Sequence, residues 1–237
     1  MKILGIDVGG TGIKGAIVNT ETGELISKRR RRIATPQPAT PEAVAETIQK
    51  LIEHFKWEGP VGCGFPTPLK NGKCLTGGNL HKDWKNLKVD DFFKNKTGNT
   101  FSVVNDADAA GLAEITFGAG KGVKGTVIMI TLGTGIGSAL FLDGKLVPNT
   151  EFGHVLHKNG SIFEKYAADS VRIEENLSRK QWGKRLHKYF KHINLLLSPD
   201  LIIGGGSSKK FSKFEAQINI DTEITPAKAE NDAGIIG

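Results

Sequence analysis

The chain has 237 residues and a net charge of +7, and its composition excludes several classes of protein. With only Cys63 and Cys74, it offers neither a disulfide framework nor a four-cysteine metal site, as is typical of a reducing cytoplasm. Asp7 interrupts the apolar start, and no stretch approaches the roughly 18 apolar residues of a membrane span, so neither a signal peptide nor a membrane anchor is predicted. The positive charge favours an anionic partner (nucleic acid, a membrane surface or a phosphate-rich small molecule) over a merely basic surface, which composition alone does not exclude.

The first predicted elements are two apolar strands, over residues 2–8 and 13–18, joined by a glycine-rich turn. Glycine N–H groups in such a turn can converge on a phosphate, and the carboxylate of Asp7 suits Mg²⁺ directly or through water. Thr11 adds a hydroxyl and Lys14 a cation. A hairpin that needs glycine only for its backbone shape is the competing interpretation. The residues selected for phosphate binding here are Asp7, Gly9, Gly10, Thr11, Gly12 and Lys14.

A third strand is predicted over residues 24–33, and it contains the basic run KRRRR. We interpret this run as a solvated sheet edge that opposes aggregation, with a track for a polyanion as the alternative. Thr40 and Pro41 then predict the N-cap and first residue of a helix whose apolar face packs on a sheet.

The glycine-rich segment 75–84 is predicted to be a loop near a sugar. Amide groups bind hydroxyls well, which selects Asn79 as a ligand contact. Trp84 is interpreted as an anchor in the core rather than as a platform for the sugar ring. Lys82 is selected as a contact for an anionic donor.

A buried strand over residues 101–104 leads directly into Asn105 and Asp106 and then into an alanine-rich helix. Ligands of open α/β sheets bind at the C-terminal ends of the strands. Asp108 fits the N-cap of this helix, which leaves Asp106 to act as a catalytic base. The alternative is that Asp106 is itself only a helix cap.

The second half of the chain repeats the pattern of the first. A strand over residues 126–132 is followed by a glycine-rich turn, a returning strand and the turn Asp143–Gly144. This echo predicts two related α/β lobes that face each other across a cleft and hold phosphates with two glycine loops. The residues selected in the second loop are Gly133, Thr134, Gly135 and Gly137.

Glu151 and His154 follow the second hairpin and are predicted to bind sugar hydroxyls. His157 completes an HxxH pattern, but neither a cysteine nor a clustered carboxylate supports zinc, so no zinc site is predicted. A buried histidine that is hydrogen-bonded in the core is the alternative for His154.

A helix is predicted over residues 170–198, with an apolar stripe from Trp182 to Leu197 and a basic remainder that is solvated or faces an anion. The strand after it ends in three glycines before a predicted helix start, an arrangement that binds anions. The further residues selected as contacts of an anionic donor are Lys121, Lys124, Gly204, Gly205, Gly206 and Lys209.

Five motifs in order resemble the ROK sugar kinases of the actin/hexokinase-like superfamily: IDVGGTGIKG (6–15), NDADAAGLAE (105–114), LGTGIGSAL (132–140), EFGH (151–154) and LIIGGG (201–206). Within that family the chain is similar to the polyphosphate-using members, on TPQPATP (35–41), NDADAAGLAE (105–114), FGAGK (117–121), PNTEFGH (148–154) and NDAGI (231–235). The resemblance implies an α/β fold with two ribonuclease H-like lobes, here expected at residues 1–105 and 106–237, and a homodimer. Many family members continue after ExGH with a cysteine-rich zinc motif, which is missing here. The glutamate that ends that motif therefore has no assured equivalent, and Glu164 is a substitute without further support.

The resemblance further implies phosphoryl transfer from inorganic polyphosphate, with ATP as a second donor, to the 6-hydroxyl of glucose. Asp106 is then the base, Asp7 holds Mg²⁺, and Asn105, Glu151 and His154 hold the sugar. An ATP-dependent hexokinase is the main alternative, and a non-catalytic sugar-binding regulator is the next. Neither nucleic acid nor a membrane is an expected partner, since the sequence has no recognised nucleic-acid module.

Overall fold

The computed structural model describes residues 1–27, 30–77 and 80–237, and at residue 209 it describes the backbone. The chain divides into two compact units, residues 1–113 with 232–237 and residues 114–231. The strands are β1 (Lys2–Val8), β2 (Ile13–Asn19), β3 (Arg31–Ile33), β4 (Val61–Phe65), β5 (Leu69–Lys70), β6 (Lys73–Cys74), β7 (Phe101–Asn105), β8 (Thr126–Leu132), β9 (Ile136–Leu142), β10 (Lys145–Val147), β11 (Leu201–Gly206) and β12 (Ile224–Pro226). The helices are α1 (Pro41–Phe55), α2 (Val89–Thr97), α3 (Asp106–Thr116), α4 (Glu164–Ala167), α5 (Asp169–Glu174), α6 (Arg179–Leu197) and α7 (Ala233–Ile236).

The first unit is built on a five-stranded sheet in the order β3-β2-β1-β4-β7. The first three strands form an antiparallel meander, and β4 and β7 run parallel to β1. The predicted third strand is shorter than expected, because residues 24–27 contribute only a single bridge, between Val18 and Leu25. Residues 28 and 29 of the basic run lie outside the described part of the chain.

One helix and one aromatic cluster close the core of the first unit. The Thr40 hydroxyl accepts a hydrogen bond from the Ala43 N–H, and Pro41 is the first residue of α1, as predicted. Trp84 is fully buried against Phe65 and Phe93 and donates its indole N–H to the Ala39 carbonyl at 2.9 Å. Its interpretation as a core anchor is therefore confirmed.

The second unit contains a sheet in the order β10-β9-β8-β11-β12. It repeats the plan of the first sheet: a three-stranded antiparallel meander followed by two strands parallel to its first member. The predicted internal echo is thus present in the strand order and directions of the two sheets.

Two helices replace the single helix predicted over residues 170–198. The chain leaves α5 through Asn176, whose φ of 50° is incompatible with a continuing right-handed helix, and Ser178 starts α6 with a capping box to Gln181. The apolar stripe of α6 is buried as predicted from Trp182 to Ile193, but Leu196, at the end of the predicted stripe, is exposed. No helix in the described part of the chain combines the length and apolar character needed to cross a membrane.

The boundary between the two units differs from the one expected from the sequence, between residues 105 and 106. The change of unit falls inside α3, and the last six residues belong to the first unit. These residues pack on β1: a Cβ on Gly5 would collide with the carbonyl of Ile235. The C-terminal segment therefore packs directly on the first sheet.

Candidate active site

A carboxylate and two cations stand side by side at the end of β1. The strand pairing places Asp7 opposite Lys14 and Lys14 opposite Arg32, so the three residues share one row of the sheet. The Lys14 ammonium lies 2.9 Å from Asp7 Oδ2, and the two side chains are 26% and 16% exposed. A partly exposed ion pair of this kind is suited to meeting a charged ligand.

Arg32 covers the first glycine loop, and the sequence interpretation missed it. Its guanidinium donates to the Thr11 carbonyl at 2.6 Å. A Cβ on Gly12 would collide with the same guanidinium, so glycine is required for this approach. The run KRRRR was interpreted as a solvated edge, but the strand register of β2 and β3 brings one of its arginines to the loop.

The first glycine loop is braced through its backbone. Gly9 donates its N–H to the Gly12 carbonyl at 3.1 Å, and the Thr35 hydroxyl donates to the Gly9 carbonyl at 2.5 Å. A Cβ on Gly10 would meet no atom within 4 Å. The Gly9 N–H is therefore engaged inside the loop, and the open side of the loop is at Gly10.

Asn105, not Asp108, caps α3. Its side-chain oxygen accepts the N–H groups of Ala107 at 2.9 Å and Asp108 at 3.3 Å. The expectation that Asp108 is the cap is wrong, because α3 starts immediately after β7 and Asp108 lies within its first turn. Asp106 is the first helical residue, and its Oδ1 accepts the N–H of Ala107 at 2.8 Å.

Asp7 and Asp106 lie at the same edge of the first sheet. The parallel pairing aligns Asp7 with Gly64 and Gly64 with Val104, so Asp106 follows two residues beyond that row. Two strand spacings of about 4.8 Å separate β1 from β7, which puts their backbones about 10 Å apart. Backbones at this separation leave room for reacting groups at this edge of the sheet.

The C-terminal segment approaches the Asp7 carboxylate and also lies against Gly64 of β4, which sequence analysis did not anticipate. A Cβ on Gly234 would lie 3.0–3.3 Å from the carboxylate atoms of Asp7. A Cβ on Gly64 would lie 3.1 Å from the Gly234 carbonyl and 3.7 Å from Asp106 Cα. Glycine at both positions keeps α7 and β4 close to the two acidic residues.

The second glycine loop is held by α4 and α5. Gly133 donates to the Gly135 carbonyl at 3.0 Å, while Ser170 donates its hydroxyl to the Thr134 carbonyl at 2.6 Å. Glu164 Oε2 accepts the N–H of Ile136 at 2.9 Å, and a Cβ on Gly135 would collide with that oxygen. Gly137 is the next residue of β9 and pairs with Thr131. Sequence reasoning did not assign Ser170, and it named Glu164 only as a substitute for the glutamate of the zinc motif, without further support.

Glu151 and His154 lie on a segment that is fastened to β9. The Ser138 hydroxyl donates to the Thr150 carbonyl at 2.6 Å and accepts the Phe152 N–H at 2.9 Å. His154 Nδ1 is 4.0 Å from Glu151 Oε2, and the His154 side chain is 54% exposed. Two polar side chains are thus presented together, as sugar hydroxyls require.

Tyr189 of α6 is a buried phenol whose pKa is affected by Glu164 and Glu151. Its hydroxyl is buried without a hydrogen-bond partner among the described residues. Burial, followed by the negative charges of Glu164 and Glu151, raises the pKa of Tyr189. Both carboxylates therefore act electrostatically on this buried phenol.

The three glycines of β11 reach the end of β8, where Gly206 pairs with Leu132. The predicted helix start after them is instead a 3₁₀ segment, Ser207–Lys213. Ser207 and Arg172 both donate to Asp169, at 2.7 and 2.5 Å. Burial alone would raise the pKa of Asp169, but these hydrogen bonds and the charges of Arg172 and Arg179 outweigh it and lower the pKa. A small pocket beside the glycines is lined by Gly204, Gly205, Gly206, Ala227, Glu230 and Asn231.

The remaining residues selected from the sequence are distributed over both units. Lys82 is exposed in the first unit, whereas Lys121 and Lys124 are exposed in the second. Asn79 and the side chain of Lys209 lie outside the described residues. His157 stacks on Tyr166, with ring centroids 4.3 Å apart.

Comparisons with known proteins cover almost the whole chain. The model of the ROK family matches residues 3–165. The polyphosphate glucokinase of Mycobacterium tuberculosis (strain CDC 1551 / Oshkosh) is 44% identical over 98% of this chain and 88% of its own length. That of Mycobacterium leprae (strain TN) is 41% identical over 98% of this chain and 72% of its own length.

A solved structure is similar to this chain over almost its whole length. The inorganic polyphosphate/ATP-glucomannokinase from Arthrobacter sp. strain KM superposes with a TM-score of 0.93 and 44% identity, covering 99% of this chain and 95% of that one. The paired mixed sheets are those of the actin/hexokinase-like fold, which confirms the predicted fold class. With a family model that matches most of its length, the chain belongs to the ROK family.

Proposed function

We propose that this protein transfers a phosphoryl group from inorganic polyphosphate, with ATP as a second donor, to the 6-hydroxyl of glucose. The observation that carries the proposal is 44% identity to a polyphosphate glucokinase over 98% of the chain. Two acidic residues at the C-terminal edge of the first sheet, Asp7 and Asp106, supply the chemistry that such a transfer needs.

Asp106 is the proposed base. As the glucose oxygen forms its bond to the terminal phosphorus, the hydroxyl proton passes to the Asp106 carboxylate, and the phosphorus–oxygen bond to the shortened donor breaks. Asp106 stands at the N-terminus of α3, where its Oδ1 accepts the N–H of Ala107. Asn105, Glu151 and His154 are the proposed sugar contacts, and Asn79 remains a prediction.

The first glycine loop is the proposed site of the transferred phosphate. Lys14 and Arg32 place two cations beside it, and Gly10 borders open space. Charge neutralisation by fixed cations is a large part of phosphoryl-transfer catalysis. The second loop, at Gly133, Thr134, Gly135 and Gly137, is proposed as a further donor contact.

Mg²⁺ is part of this proposal. A magnesium ion is commonly bound by one or two carboxylates together with substrate phosphates and water. Asp7 fits this donor set, since it is a partly exposed carboxylate whose Oδ2 lies 2.9 Å from the Lys14 ammonium. When bound, the ion would neutralise charge on the donor phosphates. A homodimer and a cytoplasmic location complete the proposal.

The test is glucose 6-phosphate formation by the purified protein, with polyphosphate and ATP in separate reactions and with Mg²⁺ present or chelated. We expect Asp106→Asn to lower turnover by roughly 100-fold or more while glucose affinity stays within about twofold. Asp221→Asn, at an exposed site, is the matched control. Activity with ATP alone would leave an ATP-dependent hexokinase, and a near-normal rate in Asp106→Asn would remove the assigned base.

A further inference from the structure

Helix α6 carries an unusual surface. Its 19 residues include six Lys or Arg and no Asp or Glu. Four exposed lysines, Lys180, Lys184, Lys188 and Lys191, follow each other at intervals of four, four and three residues. This spacing places them on one face, opposite the buried stripe, over a length of about 16 Å at roughly 1.5 Å per residue. We call these four residues the lysine stripe.

The lysine stripe opposes helix stability rather than supporting it. Like charges three or four residues apart on a helix repel each other. Neighbouring arginines are paired with carboxylates, Arg185 with Glu175 and Arg179 with Asp169. Among the described residues, none of the four stripe lysines forms an ion pair with a carboxylate. Their charge is therefore available to a ligand.

Further positive charge lies beside the middle of the stripe. The Lys188 ammonium is 3.3 Å from the Tyr166 hydroxyl and 5.6 Å from the ring centre. Burial, with the charges of Lys158, Lys188 and His192, lowers the pKa of His157. The His157 ring stacks on Tyr166 with centroids 4.3 Å apart, so Lys158, the next residue, widens the basic surface beside Lys188.

The basic surface is connected to the second glycine loop through α4. Glu164, in the first position of α4, accepts the Ile136 N–H of that loop. Tyr166, two residues later, packs under Arg185 at 4.7 Å and under Lys188. One short helix thus contacts both the loop and the stripe.

We propose that the lysine stripe binds the part of the polyphosphate chain that lies beyond the reacting phosphate, an inference that rests on the proposed function. A row of evenly spaced point charges matches a linear, uniformly charged polyanion. Nucleic acid fits less well, because single strands are bound by stacking on exposed aromatic rings. Trp182, Tyr189 and Phe190 of α6 are buried. The ring of Tyr166 is already covered by Arg185, Lys188 and His157.

The test compares two full-length variants with the same change of charge. The stripe variant is K180Q/K184Q/K188Q/K191Q, and the control is K2Q/K50Q/K85Q/K94Q, made at exposed lysines of the first unit. Equilibrium binding of long-chain inorganic polyphosphate is measured over a range of salt concentrations. We expect the stripe variant to bind roughly tenfold or more weakly, with a salt slope reduced by about 2 to 3, and the control to change less than about twofold.

Kinetics separate this inference from the proposed function. In the stripe variant the KM for long-chain polyphosphate is expected to rise at least about fivefold more than the KM for tetrapolyphosphate. If the wild type forms no glucose 6-phosphate from polyphosphate, the proposed function fails, while the binding measurement still tests the surface.

Three results would overturn the inference: equal weakening in both quadruple variants, unchanged binding in the stripe variant, or equally tight binding of a single-stranded RNA of matched charge. Glutamine retains helix propensity, and removing repulsion should not lower the Tm of the stripe variant. If that variant does not fold, K184Q/K188Q provides the same comparison against K50Q/K85Q.

Discussion

Glu164 is predicted to hold the second glycine loop in place through two contacts. Its Oε2 accepts the N–H of Ile136 at 2.9 Å, at the residue where β9 begins. The same oxygen occupies the space that a Cβ on Gly135 would need. Glu164→Ala removes the acceptor, so the Ile136 N–H loses its only described partner.

Leaving a partly buried donor unsatisfied costs about 1–3 kcal/mol. Glu164→Gln keeps an acceptor oxygen but loses the charge, and neutral hydrogen bonds have roughly half the strength of charge-assisted ones. We therefore expect the loss in Glu164→Gln to be about half that in Glu164→Ala. Because the chain has two compact units, a local measurement is preferable to a single global unfolding curve.

Hydrogen exchange at the Ile136 amide is that local measurement. A loss of 1–3 kcal/mol corresponds to exchange about 5- to 150-fold faster in Glu164→Ala. Glu174→Ala, which removes an exposed carboxylate from the neighbouring helix α5, is the control and should leave this amide unchanged. Unchanged protection of Ile136 in Glu164→Ala would refute the assigned contact and with it the positioning role.

Three further predictions concern the charged groups of the two units. Arg32→Gln should raise the KM for the donor about tenfold with less effect on glucose, since a guanidinium beside the first loop is lost; an unchanged donor KM would contradict this. Gly234→Ala should lower kcat and alter the Mg²⁺ dependence of the rate, because its Cβ would press on Asp7 at 3.0–3.3 Å. Gly62→Ala, whose Cβ would have its nearest neighbour at an ordinary 3.9 Å, tests the general cost of losing a glycine. Asp169→Asn should lower the free energy of unfolding at pH 7. Folding lowers the pKa of Asp169, so the stabilisation by its carboxylate is complete above the unfolded pKa and is lost on acidification. The difference in unfolding free energy between wild type and variant should therefore shrink as the pH falls below about 4. Denaturation curves at several pH values measure it, and a constant difference would contradict the assignment.

Local sequence signals predicted the elements that local physics controls. The apolar strands flanking each glycine turn, the cap at Thr40 and the buried stripe of α6 all depend on residues within a few positions of one another. The repeat of strand, glycine loop and strand also predicted that two sheets share one plan, which their strand orders confirm.

Contacts between distant residues could not be predicted in the same way. Arg32 reaches the first loop only through the register of β2 and β3, and Gly234 reaches Asp7 from the far end of the chain. The break at Asn176 depends on a positive φ that an apolar pattern does not reveal. The cap of α3 is Asn105 rather than the predicted Asp108, because no turn separates β7 from the helix. A sequence pattern locates such helix boundaries only within a few residues.

The two glycine loops have the same backbone plan but different electrical surroundings. The first is flanked by Lys14 and Arg32, while the second is held by Glu164 and the neutral Ser170. A highly charged donor is attracted by the first arrangement and is not attracted by the carboxylate of the second. The repeated motif therefore predicts that the two loops share a backbone shape, whereas the neighbouring charges predict that they differ in their affinity for a negatively charged group. The reacting phosphate of the donor is therefore expected at the first loop, beside Lys14 and Arg32.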